Sequence, residues 1–321
     1  MEKLWVVCLM SQWFIFDVIA SVGFVSHPVL DVRIPVAQAF GCVVSTSTPV
    51  AVLGVLREAD LRKSLETKID GESLFNDGVG YVVFLVLVGI AFPTGDHHGE
   101  GFSGAVTLFL QEAAGGAILG AVLGFLVFQL MKRIDDYALE VLLSLGLAFG
   151  GYQLAVYLHM SGPIMAVVAG LFIGDVGMRY GMTAETRKYL DKFWELIDEI
   201  LNAILFLLIG IEVFAVAFNI EAVLAGVLSI ALALVARFAA VAVPIFILKP
   251  FRQFPSDVIP IMTWGGLKGG ISVALALSLP DSEYKPLILT ATYVVVLFSI
   301  IVQGLTIAPL SRKLGREPDL L

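Results

Sequence analysis

Residues 71–92 read GESLFNDGVGYVVFLVLVGIAF. From Tyr81 onward the stretch carries no charge and does not alternate apolar with polar residues. It is therefore unlike a membrane-barrel strand, in which segments of about ten residues alternate. It reads as a helix in hydrocarbon, opening on Glu72, Asn76 and Asp77, which hydrocarbon disfavours. The rest of the chain has the same character. Of its 321 residues 58% are hydrophobic and 15% charged, and the mean hydropathy is +0.92, whereas soluble domains are about 45–50% apolar. Apolar stretches fall near residues 4–24, 33–56, 72–92, 104–131, 138–158, 162–174, 193–218, 221–248, 258–279 and 286–310. Most reach the roughly 20 residues that a spanning helix needs. The expectation is an all-α polytopic membrane protein of about ten transmembrane helices. No linker, low-complexity tract or soluble insertion interrupts it, so residues 1–321 read as one domain embedded in the lipid bilayer.

Lys and Arg between the stretches set the orientation, because retained cytoplasmic loops carry the positive excess. Ten crossings place all but four of the twenty on one side, from Lys3 through the Arg57–Lys68 and Arg179–Lys192 loops to Arg312, Lys313 and Arg316. Only Arg33 and Lys285 fall opposite. Both termini are then cytoplasmic, in a multi-pass protein of the cell membrane. Arg237 and Lys268 lie inside apolar stretches and need a separate account.

The net charge of −8 is unlike that of a nucleic-acid binder. Cys8 and Cys42 lack the spacing of a disulfide or zinc pair and read as small buried residues. The first stretch is too long for a cleavable signal and carries Asp17. His97 and His98 read as solvated loop residues. No bound cofactor is expected.

Two stretches are broken. In the first, STSTP at 45–49 removes a backbone donor at Pro49, and four consecutive hydroxyl residues can satisfy the freed groups. In the second, TWGGLKGGIS at 263–272 sets four glycines around Lys268. Helices broken near mid-membrane, one in each half of a chain, are the pattern of secondary transporters with inverted repeats, whose ion site lies where half-helix ends meet. A packing kink at each is the plainer reading. Near Asp77, helical spacing puts Ser73, Asn76, Asp77 and Gly80 on one face: hydroxyl, amide and carboxylate, with a glycine that lets a neighbour approach. An intramembrane acid is a functional candidate. The alternative is a residue in a helix's first turn, stabilised by the dipole.

GESLFNDGVG resembles the signature of the monovalent cation:proton antiporter-1 family, the Na+/H+ exchangers of NhaP-like type. VSTSTPVAVLGVLREADLRKSLETKIDGESLFNDG, SGPIMAVVAGLFIGD, FWELIDEILNAILFLLIGIEV, the Arg237 helix, TWGGLKGGISVALALSLP and VQGLTIAPLSRKLG are similar to further family segments, in the same order. The resemblance implies the inverted-repeat antiporter fold with two broken, crossing helices. It implies exchange of monovalent cations, Na+ with Li+ or K+ as further candidates, for protons by alternating access. Asp77 is implied as the group for which Na+ and the proton compete, and Asn76 as the neighbour that orders the crossing. Ser73 adds an oxygen, Glu72 and Arg237 form a buried ion pair, and Lys268 offsets negative helix ends. A homodimer is also implied. With one carboxylate exchanging one cation for one proton, the cycle is expected to be electroneutral.

Two departures stand out. Family members usually carry an aspartate just before the proline of the first break, where this chain has Thr48; Ser47 and Thr48 still offer hydroxyl and backbone oxygens. About three N-terminal helices of the family have no counterpart, which reads as N-terminal truncation. Both suit an alternative function, a non-transporting paralogue acting as membrane partner or sensor. Glu195, Asp198, Glu199 and Asn202 cluster at the start of the seventh stretch. They suggest a cytoplasmic cation pathway of Asn202, Glu199 and the deeper Glu212, or equally a solvated helix end. Glu112 and Glu140 receive no role. An aspartyl dyad of Asp17 with Asp77 or Asp175 would leave both breaks unexplained.

Overall fold

A computed structural model describes residues 33–45, 63–92, 101–134, 136–177, 182–212, 220–249 and 257–314, with side chains of 63–76 and a few other helical positions outside the description. The regular structure of these residues is entirely helical. In chain order the helices are α1 (Ile34–Ser45), α2 (Lys63–Ala91), α3 (Gly101–Met131), α4 (Tyr137–Tyr157), α5 (Gly162–Leu171), α6 (Ala184–Glu212), α7 (Ile220–Leu248), α8 (Val258–Trp264), α9 (Gly270–Leu277) and α10 (Lys285–Leu314). Three π-helical turns interrupt or extend them: Gly146–Gly150 within α4, Phe172–Gly177 after α5, and Ser299–Gln303 within α10. Among the described residues, stretches within α3, α4, α7 and α10 are long and apolar enough to cross a membrane, and α1, the 77–91 part of α2 and 162–174 are shorter apolar helices. The expected stretch at 4–24 lies outside the described residues.

Packing divides the chain into two units, Gly95–Leu205 and the remainder. Within the first, α3 lies against α5 along a glycine ladder. A Cβ on Gly116 would meet the Ser161 carbonyl at 2.6 Å, one on Gly120 the Met165 carbonyl at 2.4 Å, and one on Gly124 the Phe172 Cβ at 3.0 Å. The spacing of four keeps these glycines on one face, the small-residue packing of helices in lipid. Ile118, Val122, Phe125 and Leu126 point outward and are exposed, as residues facing hydrocarbon can be. The α4–α5 turn is closed by the Met160 N–H donating to the Ala155 carbonyl, with His159 at a φ of 55° where such caps usually place glycine. Ser161 then caps α5, and Pro163 occupies its first turn.

In the second unit α7 supplies an alanine face, Ala225, Ala233, Ala236 and Ala240, to a core shared with Phe40 and Val43 of α1, Leu275 and Ala276 of α9, and Ala291 and Val295 of α10. The opposite face of α7 exposes Leu224, Val235, Phe238 and Phe246. A Cβ on Gly226 would stand 2.6 Å from Val294 Cβ, so glycine sets the α7–α10 approach. The α1–α2 pair packs at Gly80, whose carbonyl accepts from Cys42 Sγ at 3.2 Å. At the far end of α2, Arg33 Nη2 donates to the Ala91 carbonyl at 2.7 Å and caps it.

Candidate functional site

Asp77 lies well inside a helix, not at its start. Because α2 begins at Lys63, the residue is about four turns in, and its stabilisation as a first-turn acid is set aside. The side chain is half-buried, and its Oδ1 is fully buried with no hydrogen-bond partner among the described residues. A carboxylate oxygen without a donor costs desolvation energy that only a proton or a cation can return. Among the described residues, the Lys268 ammonium is a fixed charge acting on it.

Lys268 reaches this position because the α8–α9 helix is broken as expected. Helix α8 ends at Trp264, residues 265–269 are irregular, and α9 starts at Gly270. Such a break frees backbone groups that must find partners away from water, and side chains from two helices supply them. Arg237 of α7, buried, donates from Nε to the Met262 carbonyl at 3.2 Å. Gln303 of α10 donates from Nε2 to the Trp264 carbonyl at 3.3 Å. Ser299 Oγ accepts the Lys268 N–H at 2.7 Å and donates to Gln303 Oε1 at 2.8 Å. Glycine at 266 leaves room for Arg237, since a Cβ there would lie 2.5 Å from Nε.

The Lys268 ammonium, buried, donates to the Ser45 carbonyl at 2.9 Å. Ser45 is the last described residue of α1 and the first of STSTP, so the second break delivers a cation to the backbone at the edge of the first expected break, which itself lies outside the described residues. A cation there would offset the negative end of a half-helix that stopped at STSTP. A small cavity lies beside the break, lined by Arg237, Thr263, Gly266, Lys268 and Gln303 on its polar side. The Thr263 Oγ1 is buried and has no partner among the described residues.

Other expected site residues are seen less fully. Ser73, Asn76 and Glu72 are on α2, on a part whose side chains are outside the description, so the Glu72–Arg237 pair is not tested; Ser47 and Thr48 lie outside the described residues. On α6, Glu199 is exposed, Asn202 donates from Nδ2 back to the Asp198 carbonyl at 2.7 Å, and Glu195 pairs with Lys192 at 3.3 Å. Glu212 ends α6, its side chain outside the description. Among the described residues no group of three His, Cys, Asp or Glu side chains could hold a metal. Glu140, given no role by the sequence, is buried and accepts from Thr186 Oγ1 at 3.4 Å. Ser299 and Gln303 were missed, although two polar residues four apart in VVVLFSIIVQG at 294–304 were a legible signal.

A family model described as sodium/hydrogen exchanger, transmembrane, matches residues 3–313. The Na+/H+ antiporter NhaP of Pseudomonas aeruginosa is 50% identical over 283 residues, covering 86% of this chain and 65% of that protein. The Na+/H+ antiporter NhaH of Halobacillus aidingensis is 38% identical over 301 residues, covering 92% and 72%. The chain therefore spans about two thirds of the length of these relatives. A solved structure of the sodium proton antiporter MjNhaP1 from Methanocaldococcus jannaschii at pH 8 aligns over 98% of this chain and 79% of its own, with a TM-score of 0.77 at 19% identity. The fold is thus that of this antiporter.

Proposed function

We propose, from the premise that the chain belongs to the sodium/hydrogen exchanger family, that it exchanges a monovalent cation for a proton across the cell membrane, with Asp77 as the group for which the two compete. The observation that carries this reading is the Asp77 carboxylate, half-buried in an apolar helix with Oδ1 unpartnered among the described residues, beside a fixed cation already engaged on a helix end. Bare, such a carboxylate is costly to move through a low-dielectric path. Loaded with either a proton or a cation it is neutral. If only loaded states cross between the two faces, each cation carried one way obliges a proton the other, and exchange results.

Ser73, Asn76, Ser47 and Thr48 are the proposed neighbouring oxygens, with Thr48 contributing no charge. Glu72 is proposed as the partner of Arg237, and Asn202, Glu199 and Glu212 as a cytoplasmic cation path. One carboxylate per cycle makes the exchange electroneutral. Crowding of Lys and Arg on one side supports cytoplasmic termini, and a homodimer is proposed on the family resemblance. The names of the relatives favour transport over a sensor role.

The test is cation-driven dissipation of a preformed pH gradient in everted membrane vesicles, adding Na+, Li+ and K+ in turn. The parent chain should respond to at least one cation and the Asp77→Asn variant to none. Equal responses from the two, with both proteins inserted in the membrane, would remove Asp77 from the mechanism; silence from the parent would remove exchange.

A further inference from the structure

We propose that Ser299 and Gln303, on the π-helical turn of α10, are positioning residues: they hold the irregular 265–269 segment so that the Lys268 ammonium stays on the Ser45 carbonyl and off the Asp77 carboxylate. The inference deepens the exchange reading and rests on it only for its transport arm.

Ser299 and Gln303 are both buried in a helix that is otherwise apolar here. A π turn carries one extra residue and usually costs helix stability, so it tends to persist where it does something specific. Here it turns Ser299 and Gln303 together toward the break. Their side chains form one connected path: Gln303 Nε2 to the Trp264 carbonyl at 3.3 Å, Ser299 Oγ to Gln303 Oε1 at 2.8 Å, and the Lys268 N–H to Ser299 Oγ at 2.7 Å. The last carbonyl of α8 and the backbone of Lys268 are thus tied to the same two residues. With its backbone fixed on one side and its ammonium on Ser45 on the other, Lys268 ties the 265–269 segment to the last described turn of α1 as a strut.

The consequence concerns the cation. An ammonium released from Ser45 within a low-dielectric interior seeks another acceptor, and Asp77, on which the Lys268 charge already acts, has a buried Oδ1 without a partner among the described residues. A loosened Lys268 would therefore compete with the transported cation for that carboxylate as a tethered internal cation. Loss of the strut should raise the cation concentration needed for half-maximal exchange more than it lowers the maximal rate. A change confined to general stability would lower the amount of active protein and leave half-saturation alone.

Two measurements on the full chain test this. The first is backbone amide exchange of purified protein, followed by mass spectrometry on peptides covering 265–269. Ser299→Ala should accelerate exchange there about tenfold, as expected from loss of a buried hydrogen bond. Peptides within α9 should be unchanged, and Ser299→Thr, which keeps the hydroxyl, should restore protection. The second is the vesicle assay with the responding cation titrated. Ser299→Ala and Gln303→Ala should raise the half-saturating concentration several-fold, and Ser299→Thr should return it toward the parent value. Unchanged amide exchange at 265–269 in Ser299→Ala overturns the positioning role whether or not the chain transports. Accelerated exchange with unchanged half-saturation overturns the link to Asp77. If the parent proves silent in vesicles, the exchange reading fails, and the amide measurement still decides whether these residues hold the break.

Discussion

Gly266 offers the sharpest probe of the break. Its φ does not lie in the left-handed region, so glycine is required there for space and not for conformation. An alanine Cβ would sit 2.5 Å from Nε and 3.0 Å from Cζ of Arg237, where nonbonded atoms rest about 3.5 Å apart. The guanidinium would have to withdraw by roughly 1 Å. Its Nε, 3.2 Å from the Met262 carbonyl, would then pass out of hydrogen-bond range. Loss of a buried hydrogen bond from a charged donor costs about 1.5–3 kcal/mol. For a chain of this size that corresponds to a melting temperature lower by roughly 2–5 °C. Gly89 is the matched control: it lies inside α2 with nothing within 4 Å of an added methyl, so Gly89→Ala should be neutral or gain about 0.5–1 kcal/mol from helix propensity. The assay is a thermal melt of detergent-purified protein at one scan rate, with parent, Gly266→Ala and Gly89→Ala side by side. Coincident melts for Gly266→Ala and the parent would refute the reasoning, since Arg237 would then have room the structure denies it.

Two further outcomes follow from packing in the described residues. Gly120→Ala should separate α3 from α5, because the added methyl meets the Met165 carbonyl at 2.4 Å and a backbone cannot step aside as a side chain can; a loss of about 1–3 kcal/mol, read as a lowered melting temperature, is expected, and parental stability would count against the glycine ladder. In a Cys8→Ser background, Cys42, free and buried against Gly80, should resist a membrane-permeant maleimide in folded protein and react once the protein is denatured; rapid labelling of the native state would mean that the α1–α2 contact opens.

The helical class, the break at 263–272 and the lysine inside an apolar run were all legible, because hydrocarbon leaves the sequence little freedom; the break expected at STSTP lies outside the described residues. Each polar residue in an apolar run needs a reason, and each glycine cluster marks lost regular structure. Lys268 is the clearest case: placed by the sequence at a break, it is found on the Ser45 carbonyl, at the edge of the other expected break. What was not legible is which segment answers the break. Ser299 and Gln303, four apart on a long apolar helix about thirty residues downstream, mark one polar face but do not say that it meets residues 264–268. A helical period of 3.6 predicts one face and does not announce an inserted residue. Glu140 was illegible for a similar reason, since Thr186 reaches it from 46 positions away. That α2 is already helical at Lys63 is not legible because the periodic apolar signal begins only near Leu74, while polar residues form the helix before it.

The two buried cations of the break and the unpartnered Asp77 oxygen share a single electrostatic logic. Arg237 and Lys268 each donate to a helix carbonyl, Met262 in the last turn of α8 and Ser45 in the last described turn of α1. The first carries the negative end of a helix dipole, and the second would if α1 stops at STSTP. Left bare, they would compete with Asp77 for a mobile cation and hold it where no proton could replace it, because a carbonyl does not titrate. Covered by fixed cations, they leave a titratable oxygen as the favoured place for an incoming positive charge. Were a fixed cation instead paired directly with Asp77, the carboxylate would already be neutral, and neither a proton nor a metal ion would gain by binding. On the proposed exchange, the fixed charges belong on the backbone and the mobile ones on the acid, and the donation of Lys268 to Ser45 serves that separation.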